Sequence, residues 1–171
     1  MNGELTVFEK LDMQKQQHRE KIFEYWDNGL PTGNSMGWEE LDPYLRIWDG
    51  SLIIISGTPS SGKSSWFDQV IMNMAKGKEK ILTCMYSPES HPIDLHKVSL
   101  VEKHLQKPFR AGSTDRMTEK ELTDGIDYVE RRVFWPEIDK PTPENVLTEF
   151  DIYRKMGCRL FVLDPYTDLE N

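Results

Sequence analysis

The chain predicts an α/β fold with a largely parallel sheet, and three observations carry that prediction. Short apolar runs rich in β-branched residues alternate with stretches whose apolar residues recur at helical spacing. A glycine-rich loop, "GTPSSGKS" at 57–64, lies between the first of those runs and the helical stretch behind it. Asp164 closes the last run, and in sheets of this kind ligands sit at the carboxyl ends of strands.

From Thr6 to Trp26, Val7, Phe8, Leu11, Ile22, Phe23 and Trp26 flank a polar centre, and Asp27-Asn28-Gly29 stops the pattern. Residues 1–30 therefore read as a helical and linker segment of one or two amphipathic helices. Its aromatic residues offer a docking face, with packing on this chain's own core as the competing use. Residues 31–171 read as the N-terminal part of a second, α/β domain. It opens with "LPTGNSMGWEELDPYLRIWDG", broken by Pro31, Gly33, Gly37, Pro43 and Gly50 into a structured loop with one short turn that Trp38 and Leu41 anchor.

The run "SLIIISG" is too short for a lone helix and predicts a strand buried on both faces. After the loop, Trp66, Phe67, Val70, Ile71 and Met74 predict a helix ending at Lys76-Gly77; their spacing assigns Trp66, Phe67, Met72 and Met74 to core packing. "KILTCMYS" gives the second strand, and "PIDLHKVSLVEKHLQ" a helix with Ile93, Leu95, Val98, Val101 and Leu105 on one side. Thr118 and Glu121 have capping-box spacing and open the next helix. "RVFW" is the third strand. Thr142 followed by Pro143 starts a helix with Val146, Leu147, Phe150 and Tyr153 as its apolar face, and "CRLFVLD" is the fourth strand.

Composition narrows the function classes. The formal net charge is −8, from 29 acidic and 21 basic side chains, so no general basic surface attracts a phosphate backbone and any nucleic-acid contact is local. No stretch approaches the ~20 apolar residues of a membrane span, and no leader pattern opens the chain, so a cytoplasmic setting is expected. Cys84 and Cys158, the two cysteines, are expected as reduced, buried thiols. His91, His96 and His104 lack metal-site spacing and are expected in solvated or capping roles.

Gly57, Gly62, Lys63 and Ser64 satisfy the full G-x-x-x-x-G-K-[ST] pattern between an apolar run and an amphipathic helix. Backbone N–H groups across Gly57, Thr58, Pro59, Ser60, Ser61, Gly62, Lys63, Ser64 and Ser65, proline excepted, are placed to surround phosphates. The Lys63 ammonium reaches the β- and γ-phosphates, and the Ser64 hydroxyl serves Mg²⁺. Asp164 is the expected carboxylate on the metal side. Hydrolysis also needs a group that deprotonates or orients water, and Glu89 in "MYSPES" is the first candidate, with Glu170 second.

Together these segments resemble the RecA-type motor domain of ring-shaped replicative DNA helicases, the DnaB-like and Twinkle-like group that includes phage primase-helicases. "TGNSMGWEELD" resembles the group's approach to its first strand, and "GSLIIISGTPSSGKSSWFDQVIMNMA" its strand, phosphate loop and helix. "YSPES" matches the place of its catalytic Glu, "KPF" followed by "MTEKELTDGIDYV" its connecting region, and "RLFVLDPYTDLEN" its metal-side strand. The resemblance implies a RecA-like P-loop NTPase core that binds ATP or another nucleoside triphosphate with Mg²⁺. It also implies a homo-hexamer on single-stranded DNA in the complete protein, with a primase fused or separate, in a bacterial or phage-infected cytoplasm. It carries Lys63 and Ser64 over as phosphate and metal groups, Asp164 as metal support and Glu89 as the base. The resembled fold inserts a later strand between its phosphate-loop and metal-side strands, and its arginine finger and DNA loops follow the metal-side strand. The sheet is therefore expected to be incomplete at its C-terminal end, with a gap. A non-catalytic nucleotide-binding or assembly module, and another RecA-type ATPase of recombination or repair, are the alternatives.

Overall fold

A computed structural model describes residues 6–112 and 114–169. The chain divides into two compact units, residues 1–33 and 34–171. The first holds a single helix, α1 (Val7–Asn28), opened by a capping box in which the Thr6 hydroxyl accepts from the Glu9 N–H. None of its residues is buried.

The second unit runs α2 (Lys63–Lys76), β1 (Leu82–Tyr86), α3 (Ile93–Leu105), α4 (Glu119–Glu130), β2 (Val133–Phe134), α5 (Pro143–Lys155) and β3 (Cys158–Leu163). The strands form a parallel sheet of order β2-β1-β3. Thr83 pairs with Val133 on one side of β1, and Cys84 with Phe161 on the other. Parallel neighbours need crossover connections, and the intervening helices supply them.

Side-chain alternation along the strands sends neighbours to opposite faces. Met85, Val133 and Val162 join Ile71, Met72 and Ala75 of α2, Leu100 and Val101 of α3 and Val129 of α4 in the main core. On the other face Phe134 packs on Tyr153 and Phe161 on Phe150, both from α5. A second cluster joins Met36, Ile47 and Ile81 to Val70 and Met74 of α2, with Trp38 and Leu41 against it. Helix α2 thus serves two clusters, which is why Val70, Ile71, Met72, Met74 and Ala75 are all buried.

Several expectations need correction. The run at 52–55 forms no strand and is not buried: Leu52 is 87% and Ile54 83% exposed. A strand buried on both faces lies inside a sheet covered above and below, and among the described residues no strand pairs with this run. Leu95 and Leu147 are exposed, because α3 turns Leu100 and Val101 inward and α5 Val146. Trp66 is also partly exposed, stacked on Trp38 at 6.0 Å. His96 is buried, not solvated, and His104 stacks on Tyr128 at 3.9 Å. Burial and the neighbouring Lys76 charge hold the His104 pKa below its usual value.

Both cysteines are free and buried. Burial first, then Cys158 and Glu149, pushes the Cys84 thiol up to about 12, so it is inert as a nucleophile. No described helix is long and apolar enough to cross a membrane.

Candidate nucleotide-binding site

The loop ahead of α2 is shaped by two residues in the left-handed region, Ser60 at φ 58° and Gly62 at φ 86°. Gly62 is the N-cap of α2 and brings no side chain to cap it, so the first N–H groups of the helix stay available to an outside acceptor. Trp66 N–H starts the helix by donating to Gly62 C=O at 2.9 Å. An uncapped helix start behind a glycine-rich turn favours an anion.

Lys63 folds over this loop, its Nζ donating to Gly57 C=O at 3.1 Å and Thr58 C=O at 3.0 Å. A Cβ on Gly57 would stand 3.3 Å from Ser61 Oγ and 3.4 Å from Lys63 Cδ, so glycine leaves room for the lysine stem. The ammonium is held by neutral carbonyls alone in these contacts, and a phosphate anion is a stronger acceptor than either.

The Ser64 hydroxyl donates to Asp164 Oδ2 at 2.7 Å, joining residues 100 positions apart. Asp164 is placed by the sheet: it follows β3, and its N–H donates to Tyr86 C=O at 3.1 Å at the end of β1. The next residues after β1 form the Pro88–Ser90 turn, closed by Ser90 N–H to Ser87 C=O at 3.1 Å and by the two serine hydroxyls at 2.7 Å. Glu89 is exposed on that turn. The parallel strands β1 and β3 therefore present Glu89 and Asp164 at the same end of the sheet, and α2 brings Ser64 to it. Glu170 lies outside the described residues.

No described group of three or more His, Cys, Asp or Glu is arranged to hold a metal. The Ser64 hydroxyl and Asp164 carboxylate are two hard oxygen donors in contact, which suits Mg²⁺, an ion that takes one or two protein oxygens and completes its shell with phosphate and water.

Three further residues near the loop carry no sequence signal. Lys103 of α3 donates to Ser65 Oγ at 2.9 Å, adding a second cation at the start of α2. Asp68 of α2 and His96 of α3 form a buried pair, with His96 Nε2 2.9 Å from Asp68 Oδ1. The two lie 28 positions apart, and nothing in either local pattern links them.

The amino-acid sequence has a counterpart among known proteins. The chain is similar to a Twinkle homolog. That relative is the chloroplastic/mitochondrial Twinkle homolog protein of Arabidopsis thaliana, 32% identical over 164 residues that take in 89% of this chain. The chain spans about a quarter of the relative's length, 23%. No protein-family model matches the chain. No solved structure matches it either.

Proposed function

We propose that this chain is the nucleotide-binding part of a RecA-type motor in a Twinkle-like or DnaB-like replicative DNA helicase. The Ser64–Asp164 contact of 2.7 Å carries the reading, because it unites the phosphate-loop hydroxyl with a strand-end carboxylate from the far end of the sequence. Likeness to the Twinkle homolog over most of the chain supports it. Among the described residues no strand pairs with the outer edge of β3, which agrees with it, since that is where the resembled fold accommodates a further strand.

In this reading ATP lies with its phosphates on the loop amides of 57–65, and Lys63 leaves the Gly57 and Thr58 carbonyls for the β- and γ-phosphates. Ser64 and Asp164 would hold Mg²⁺, which would supply positive charge to offset that of the phosphates. Glu89 accepts the proton of the attacking water. The complete protein assembles as a ring and moves on single-stranded DNA, in a bacterial or phage-infected cytoplasm.

Calorimetric titration with Mg-ATP tests this directly. Lys63→Ala weakens binding about tenfold or more, as expected for losing a charge-assisted contact. Asp164→Asn weakens the dependence on Mg²⁺, and Glu89→Gln keeps affinity while turnover falls. Equal affinity in the unaltered chain and Lys63→Ala would sink the proposal.

A second reading, a nucleotide-binding assembly module without turnover of its own, is favoured by the exposed Leu52 and Ile54. It predicts Mg-ATP binding with a change in sedimentation and no phosphate release.

A further inference from the structure

We infer that the buried pair Asp68 and His96, with the half-buried Trp135, forms a positioning relay that fixes the Glu89 turn relative to the phosphate loop. The inference rests on the nucleotide-binding reading above and adds residues that the loop motif does not contain.

Asp68 is 5% and His96 8% exposed. A carboxylate in such a place is costly unless hydrogen-bonded, and here it meets His96 Nε2 at 2.9 Å. The other ring nitrogen, Nδ1, accepts from Trp135 Nε1–H at 3.4 Å, and the indole meets the imidazole edge-on, with ring centroids 5.8 Å apart. Because Nδ1 accepts, Nε2 carries the proton and donates to Asp68. The tautomer is set by the network itself.

The three residues come from α2, from α3 and from the segment that follows β2. Asp68 lies four residues beyond Ser64 on α2, on the same stripe of the helix. His96 is in the first turns of α3, which the Pro88–Ser90 turn bearing Glu89 leads into, and Leu95 N–H to Pro92 C=O at 3.0 Å opens that helix. Trp135 follows β2, whose Phe134 is paired with Cys84 of β1. Lys97 steadies the indole, its Nζ 5.8 Å from the ring centroid and 2.7 Å from Glu130 Oε1.

Apolar contacts between α2 and α3 tolerate repacking, whereas two directional hydrogen bonds on one ring admit a single register. Asp68 and His96 touch no reacting atom in this scheme. They act through Glu89, and their effect belongs in turnover, not in nucleotide affinity.

The test uses the full 171-residue chain. Removing His96 alone leaves a buried carboxylate without a partner, so the informative variant is Asp68→Leu with His96→Leu, since replacing a whole buried pair by apolar groups is often neutral for stability. Amide hydrogen exchange at 87–95 then rises about tenfold or more, while α4 and β3 keep their protection. Mg-ATP affinity stays within about twofold and turnover falls about 10²-fold, the scale of a misplacement near 1 Å. His96→Gln, which keeps an N–H for Asp68, restores turnover to within about threefold of the unaltered chain. Unchanged exchange and turnover in the double variant would overturn the inference, as would a turnover loss matched by an equal loss of affinity. If the unaltered chain neither binds nor hydrolyses ATP, the nucleotide reading fails by itself, and the exchange measurement alone decides whether the relay holds the Glu89 turn.

Discussion

The run at 52–55, made of one leucine and three isoleucines, is more apolar than the strand Leu82–Tyr86, which includes Thr83 and Tyr86, yet only the strand is buried. Thr83, Cys84 and Met85 are buried, flanked by β2 and β3 and covered on both faces by helices. Leu52 and Ile54 stand largely in solvent with no paired strand among the described residues. A strand's apolar side chains stabilise only where neighbours exist to receive them, so sheet partners outweigh hydrophobicity here. One half of the unit is a finished core, and the other presents the phosphate loop beside an open flank.

The largest effects should fall in the finished half. Leu100 is fully buried against α2 and α4, and Leu100→Ala should cost about 2–5 kcal/mol in urea unfolding. Gly125→Ala tests the same packing from the other direction. Alanine ordinarily gains up to about 1 kcal/mol over glycine inside a helix. Here the added Cβ would stand 2.8 Å from Val101 Cγ1 and 3.3 Å from Leu105 Cδ1. Overpacking costs about 1–3 kcal/mol and outweighs the gain, so the variant should melt lower than the parent. A higher melting point would show that α3 and α4 are less tightly joined than α2 and β1.

A smaller effect is expected at the surface of that half. The Lys107 ammonium first, then the Thr118 N–H, hold the Glu121 carboxyl down at about 2, below its ordinary 4.5. A depressed folded-state value means stability that is present above about pH 4.5 and lost as pH falls from there towards about 2. Glu121→Gln should therefore flatten the acid limb of the stability profile in that window, lying below the parent at pH 7 and converging with it towards about pH 2. An unaltered acid limb would place the pairing with Lys107 outside the solution structure.

Which parts of this arrangement are legible in the sequence follows from which signals are local. The Thr118 and Glu121 capping box and the Thr142-Pro143 start mark α4 and α5 at their N-termini, because a cap is made by residues within one turn. The phosphate loop is legible for the same reason, its glycine at φ 86° being required by the turn it makes. Asp164 can be found because a strand end follows from an apolar run. Asp68 and His96 are not legible, since a carboxylate on α2 and an imidazole on α3 acquire meaning only when the helices pack. The fate of Leu52–Ile55 is illegible too: hydrophobicity states that a segment needs cover, and only topology states whether cover is there.

The smallest expected effect sharpens the opening contrast most. With Ile54 at 83% exposure, Ile54→Ser removes almost no buried area, and its effect on unfolding should stay within about 0.5 kcal/mol. A polar side chain there also interrupts an exposed apolar, β-branched stretch, the pattern that promotes association between chains. Light scattering at high concentration should accordingly fall while the unfolding midpoint stays fixed. A loss above about 2 kcal/mol, the scale of a buried aliphatic side chain, would instead mean that residues 52–55 pack inside the folded chain, and the two regions would no longer differ.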